Sequence, residues 1–350
     1  MDENSTRTRP GLSRPTIRDV ARLAGVSLGT ASKALSGQGR MRPETRKNVA
    51  RVAQEIGFHP NDLAQSLHRN KSYTVGIISN DNFGRFTFPI VQALEEQLAT
   101  ERFAVFMSNA TDDPERERLH IAALMAKRVD GFVVTARRAD QRPKLQIPAS
   151  GPPVIYVFSR TDDPDALCLL PDDEGGARLG VEHLVRLGRK RIAHVTGPEH
   201  FEAVRLRRDG WQKSVRKSGV EGNYLTGVWS EQWGREAVAK LFADRRTAPD
   251  GVFCGNDQIA RGVVDALRER GVAVPSDVSV VGFDNWEVMA GAARPPLTTI
   301  DMNLEEMGRE TGRLLMELIG GKPLHGTRRL PCSLVIRDSC GAKRAPPNID

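Results

Sequence analysis

Thr16-Ile17-Arg18-Asp19-Val20-Ala21-Arg22-Leu23-Ala24-Gly25-Val26-Ser27-Leu28-Gly29-Thr30-Ala31-Ser32-Lys33-Ala34-Leu35 is the stretch on which the reading of this chain turns. Thr16 followed three residues later by Asp19 is the signature of a capped helix start. Ile17, Val20, Ala21 and Ala24 then recur at helical spacing. Gly25-Val26 supplies a tight turn, and Ser27 caps a second helix running to about Ser36, which Gly37-Gln38-Gly39 ends. Pro43 suits the first turn of a third helix, with Val49, Val52, Ala53 and Ile56 on one face and Gly57 as its stop. Helix, short glycine-containing turn, helix and supporting helix is the helix-turn-helix plan. In that plan the second helix enters the DNA major groove and its first residues meet base edges.

Ser27, Leu28, Gly29, Thr30, Ser32 and Lys33 form the outward face of that second helix, while Ala31 and Leu35 turn inward. The hydroxyls of Ser27, Thr30 and Ser32 suit phosphates or base edges, and Lys33 suits phosphate or guanine. Leu28 can touch a thymine methyl, and Gly29 offers backbone alone. The run Gly25-Val26-Ser27-Leu28-Gly29 also satisfies the G-x-S-x-G pattern of hydrolase nucleophiles. That pattern requires a strand before the serine, and here an amphipathic helix precedes it.

Charge supports a polyanion partner for this head. Residues 1–72 carry 13 basic and 6 acidic side chains, which accounts for the whole net charge of +7. The remaining chain is balanced, so the head and the body are expected to serve different partners.

From Tyr73 the pattern changes to alternating apolar runs and amphipathic stretches. The runs are Val75–Ser79, Ala104–Asn109, Gly131–Thr135 and Val154–Phe158, then Ile192–Thr196, Leu225–Trp229, Val252–Cys254 and Val278–Phe283. This βαβα alternation predicts an α/β body of doubly wound parallel sheets in two lobes. Ligands of such sheets bind beyond the carboxyl ends of the strands. The strand ends put forward Asn80, Phe86, Phe88, Ser159, Arg160, Arg207, Trp229, Asn256 and Asp284 as an effector site. Core packing of Trp229 and helix capping by Asp284 are the competing readings, and Asp257 is assigned to capping. His183 and His194 read as packed side chains.

In its 350 residues the chain has no apolar run of the roughly 18 residues that a membrane span needs. Its first 15 residues lack the apolar core of a signal peptide, so a cytoplasmic place is expected. The four cysteines, Cys168, Cys254, Cys332 and Cys340, have no metal-binding spacing and read as buried thiols. With no catalytic constellation and no complete nucleotide-binding motif, no enzyme activity, cofactor or metal is expected.

The head motif, with Glu44-Thr45-Arg46 and Gly57-Phe58-His59-Pro60-Asn61 after it, resembles the LacI/GalR family of bacterial transcription regulators. The resemblance continues to about Asp338. It implies a hinge helix over 61–72, a two-lobed body like that of periplasmic binding proteins, and a homodimer on double-stranded operator DNA. In the family the hinge becomes helical on the operator, and paired hinges enter the minor groove. A leucine at the position of Leu67 wedges between central base pairs, at an unstacking cost offset by the contacts bent DNA permits. Thr16, Asn61, Ala64 and Gln65 join the DNA-facing set on the same ground.

The resemblance also implies a repressor whose effector is a sugar or sugar derivative. Positions matching Arg207, Trp229, Asn256 and Asp284 contact effectors in sugar-responsive members. Two departures stand out: Arg42 replaces the usual capping residue before Pro43, and Ser159 replaces an aspartate. The expected bounds are an arm over 1–14, the head over 15–60, a first lobe over 73–161 and 293–325, a second over 162–292 and 326–340, and a disordered tail from 341. A sugar-binding transport protein shares the two-lobed body and is the main rival, although the basic head speaks against it.

Overall fold

The computed structural model describes residues 15–36, 39–58, 71–82 and 84–342. The expected arm over 1–14, the expected tail from 341 apart from Gly341 and Ala342, and the hinge candidates Asn61, Ala64, Gln65 and Leu67 lie outside the described residues. Contacts divide the chain at Ser72/Tyr73 into two compact units.

The first unit holds α1 (Ile17–Leu23), α2 (Leu28–Ser36) and α3 (Pro43–Glu55). Thr16 and Asp19 form a reciprocal capping box: Asp19 accepts from the Thr16 backbone N–H at 3.0 Å and from its hydroxyl at 2.7 Å. Those bonds, the hydroxyl's first, hold the Asp19 carboxyl below its ordinary pKa. Gly25, at φ 65°, makes the left-handed turn between α1 and α2, a conformation open to glycine without steric cost. Ser27 accepts from the Thr30 backbone N–H at 3.1 Å and so caps α2. The start of α3 has no side-chain cap, as the sequence of Arg42-Pro43 leads one to expect. Val20, Ala21, Ala31, Ala34, Val49, Val52 and Ala53 bury a small common core.

The second unit is two parallel sheets covered by helices. In chain order it runs β1 (Thr74–Ser79), α4 (Thr87–Ala99), β2 (Ala104–Asn109), α5 (Pro114–Ala126), β3 (Gly131–Thr135), β4 (Gln141–Arg142), β5 (Val154–Val157), β6 (Arg160–Thr161) and β7 (Leu167–Pro171). Then follow α6 (Asp173–Arg186), β8 (Arg191–Thr196), α7 (Glu202–Ser218), β9 (Glu221–Thr226), α8 (Glu231–Leu241), β10 (Gly251–Cys254), α9 (Asp257–Glu269), β11 (Ser279–Phe283), α10 (Glu287–Ala290), β12 (Thr298–Asp301), α11 (Leu304–Ile319), β13 (Gly326–Leu330) and β14 (Ser333–Val335). The first sheet has the order β13-β7-β5-β3-β1-β2 and the second β14-β12-β11-β10-β8-β9. All pairings are parallel except that of β14 with β12.

Both faces of each sheet are apolar, which is why the central strands read as unbroken hydrophobic runs. In the first sheet Val75, Ile77, Val133 and Ile155 serve one core while Ile78, Phe132, Val134 and Tyr156 serve the other.

The expected lobe bounds need correction. Leu167–Pro171, assigned to the second lobe, pairs with β5 in the first sheet, and Gly326–Leu330 pairs with it there. Thr298–Asp301, assigned to the first lobe, pairs with β11 in the second sheet. Pairing decides the matter: a strand buried on both faces belongs where its backbone groups find partners. The chain therefore crosses between lobes near Asp172, near Met302-Asn303 and near Pro331-Cys332. Asn303 links two of the crossings, donating from Nδ2 to the Pro331 carbonyl at 2.8 Å and accepting from the Ser333 hydroxyl at 3.0 Å.

Candidate functional site: a polar helix face and an inter-lobe cavity

On the head, Thr16, Ser27, Leu28, Gly29, Ser32 and Lys33 are exposed and Thr30 is half-buried, while Ala31 and Ala34 point into the core. The Ser27 and Thr30 hydroxyls lie 2.8 Å apart, which fixes both at the start of α2. Ser27 thus caps a helix.

In the body a cavity of about 620 Å³ opens where the carboxyl ends of the two sheets face one another. Asp81 follows β1, Arg137 to Asp140 follow β3, Phe158 follows β5 and Asp173 follows β7. Phe201 follows β8, Trp229 follows β9, Asn256 follows β10 and Asp284 follows β11. This is the placement the strand-end rule anticipates.

Ionic groups form the floor. Arg207, on α7, is buried, and its Nε donates to Asp173 at 2.8 Å while Nη1 donates to the Gly255 carbonyl at 2.6 Å. The same guanidinium lies 3.5 Å from the Asp284 carboxylate and 3.6 Å from the centroid of the Phe283 ring. Burial opposes its charge, but Asp173 and Asp284 more than offset this and raise its pKa.

Arg85 comes from the opposite lobe and pairs closely with Asp284. Its guanidinium sits 4.2 Å from the Trp286 ring and 4.8 Å from the Phe86 ring, so a cation joins the lobes between two aromatic faces. Asp284 and Asn285 have φ of 101° and 50°, left-handed values rarely found outside glycine. Such strain persists where its surroundings enforce it, commonly at binding sites.

A second set of polar links reaches Asp140 of the lining. Arg160 pairs with Glu202 at 2.9 Å, and the Glu202 backbone N–H donates to Asp140 at 2.9 Å.

Five of the nine expected effector residues line the cavity: Phe86, Arg207, Trp229, Asn256 and Asp284. The other four are placed elsewhere. Asn80 donates to Asp112 and accepts from the Arg137 N–H at 3.1 Å. Phe88 is 62% exposed and lies on a neighbouring hollow. Arg160 turns to Glu202 and Gln141. Ser159 is fully buried, with no hydrogen-bond partner for its hydroxyl among the described residues. The cause at Ser159 is local: β5 stops at Val157, and Phe158, at φ 50°, takes the place facing the cavity.

Asp257 is also corrected. The cap of α9 is Asn256, whose Oδ1 accepts from the Ile259 N–H at 2.8 Å. Asp257 instead accepts from the Thr299 hydroxyl at 2.5 Å and the Trp286 N–H at 2.7 Å, tying β12 to the loop after β11. Burial, then the charge of Asp284, pushes its pKa up to about 8.

Sequence reasoning passed over Arg85, Arg137, Arg138, Asp173 and Trp286. Asp173 follows an apolar strand that was not recognised, whereas the end of β3 was visible and could have supplied Arg137 and Arg138.

Residues 16–61 match the family described as bacterial regulatory proteins, lacI family, and residues 181–340 match a periplasmic binding protein-like domain. The HTH-type transcriptional repressor PurR of Mannheimia succiniciproducens is 31% identical over 331 residues, covering 93% of this chain and 98% of that protein. The chain belongs to the LacI family. The HTH-type transcriptional repressor CytR of Escherichia coli K12 is 29% identical over 336 residues, 95% of this chain and 97% of the relative. Among solved structures, the lac repressor dimer bound to operator and the anti-inducer ONPF has a TM-score of 0.78 at 29% identity, covering 94% of this chain and all of that one.

A LacI-family chain is a DNA-binding regulator rather than an enzyme, and its Ser27 is not a nucleophile. Among the described residues no helix is long and apolar enough to cross a membrane, and no group of side chains is arranged to hold a metal.

The Trp229 wall depends on a glycine. A Cβ at Gly197 would lie 2.3 Å from the Trp229 indole, so this LacI-family cavity keeps its ring in place by leaving that side chain out. Gly197→Ala is expected to destabilise the body by about 1–3 kcal/mol through overpacking. The same change in a Trp229→Ala background should be nearly silent, as a double-mutant cycle of thermal unfolding would show.

Proposed function

We propose that this protein is a cytoplasmic repressor that grips a near-palindromic operator as a homodimer and releases it under control of a small effector. The effector, a sugar or sugar derivative, occupies the cavity between the two lobes. The observation that carries this reading is the joint presence, in one LacI-family chain, of an exposed hydroxyl-and-lysine helix face and a lined inter-lobe cavity. The relatives named above are repressors, and the lac repressor was solved as a dimer on its operator.

On this reading each head places Ser27, Leu28, Gly29, Thr30, Ser32 and Lys33 in the major groove, with Thr16 at the backbone. Paired hinges, through Asn61, Ala64, Gln65 and Leu67, act at the operator centre. Trp229 offers a ring face to the ligand and Phe86 lines the cavity beside it, while the Asn256 Nδ2 and the ionic floor set its orientation. Three crossings, two of them linked through Asn303, provide a hinge about which the lobes can turn. A coupling free energy of about 1–3 kcal/mol changes operator occupancy about 5–150-fold.

Selection from a random duplex pool tests the proposal. The recovered sites should contain an inverted repeat, and each bound duplex should carry two protein chains. Asymmetric sites holding one chain would count against the homodimer, and no enrichment at all would count against operator binding.

A further inference from the structure

Among the described residues, Arg138 is the one arginine of the cavity lining without an ion pair. On the reading that this cavity is the effector site, we propose that the effector carries an acidic group, a carboxylate or a phosphate, which Arg138 receives. Four carboxylates line the cavity; Asp173 and Asp284 have arginine partners, while Asp81 and Asp140 accept from backbone N–H groups. Asp81 accepts from the backbone N–H groups of Gly84, Phe86 and Thr87 at 3.0, 3.2 and 3.2 Å. Asp140 accepts from the Glu202 N–H at 2.9 Å, and Asp173 and Asp284 are held by Arg207 and Arg85.

Four arginines line the same space. Arg85 and Arg207 have the partners just named, and Arg137 pairs with Asp112 at 2.8 Å. Arg138 differs: among the described residues it forms no ion pair, and its guanidinium rests 4.4 Å from the centroid of the Phe201 ring. Partial burial, and then the neighbouring charge of Arg137, lowers its pKa, with Asp140 and Asp112 offsetting part of this; an incoming anion would relieve the repulsion from Arg137.

The balance of donors and acceptors points the same way. A neutral sugar can donate to Asp140, which accepts one backbone N–H, but only an acid also engages the one lining arginine without an ion pair among the described residues. What remains on offer is a guanidinium fork, whose planar geometry matches carboxylate or phosphate, beside the amides of Asn256 and Gln258. The rings of Phe158, Phe201 and Trp229 supply walls for the ligand body.

Titration calorimetry of the full chain decides between acid and neutral ligands. Two sets of probes serve: glucose, glucuronate and glucose 6-phosphate; and ribose and ribose 5-phosphate. At least one acid should bind 10- to 100-fold more tightly than its neutral parent, the range expected of a charge-assisted hydrogen-bonded contact. Arg138→Gln should reduce that acid to its parent's affinity, and Arg138→Lys should keep part of the difference. The carboxylate and phosphate arms tell the two sources apart.

A neutral parent binding as tightly as its acids, no acid of the set binding, or a preference surviving Arg138→Gln would each overturn the proposal. The same preparations are assayed for retention of a selected duplex. A neutral sugar that changes retention sinks the acidic effector and leaves the repressor standing. Failure to retain any duplex sinks the repressor reading, whatever the sugars do.

Discussion

Arg207→Ala is expected to lower the stability of the body by about 3–5 kcal/mol, because it strands buried carboxylates without their counter-charge. Asp173 is 1% exposed and Asp284 9% exposed, and Arg207 faces both. At about 2–4 °C per kcal/mol for a unit of this size, the thermal midpoint should fall by on the order of 10 °C. Read from sequence, Arg207 is a ligand contact whose loss silences the effector while leaving DNA binding alone. The geometry gives it a prior task, holding together α6, α7 and the ends of β10 and β11. Arg207→Lys should rescue little, since one ammonium cannot reproduce a fork that meets Asp173 and the Gly255 carbonyl together. Asp173→Asn in the Arg207→Ala background should restore part of the loss by removing one stranded charge. An unchanged midpoint in Arg207→Ala, with only the ligand response lost, would return this residue to the role read from sequence.

The head was legible because its signals are local. A capping pair at Thr16 and Asp19, a glycine at the turn and alanines at helical spacing all act within a few residues of one another. The alternation of the body was legible for the same reason, and the cavity followed from the rule about strand ends. Lobe membership was not legible, because pairing joins residues far apart in sequence. Leu167-Cys168-Leu169-Leu170 is an apolar run that lacks a long amphipathic stretch before it, and β13, with exposed Arg328 and Arg329, lacks a strand pattern.

Side-chain direction was the other gap. A single left-handed residue, Phe158, turned Ser159 from the cavity to the interior. The capping role moved from Asp257 to Asn256 because the carboxylate has better partners in Thr299 and Trp286. Neither outcome is written in residue type.

On the proposed function, a basic head grips duplex DNA while a charge-balanced body senses the ligand. If roughly 6–10 phosphates are contacted, affinity for a selected duplex should fall about 10³–10⁵-fold between 50 and 200 mM salt, as counterions return to the DNA. The first 72 residues hold the whole net charge of +7, so the effect should belong to them. The most direct measurement is fluorescence anisotropy of a labelled, selected duplex across that salt range, with full chain and with 73–350 in parallel. The full chain should show a steep log–log slope, and the body should not bind. A slope near zero, or equal binding by 73–350, would contradict that function.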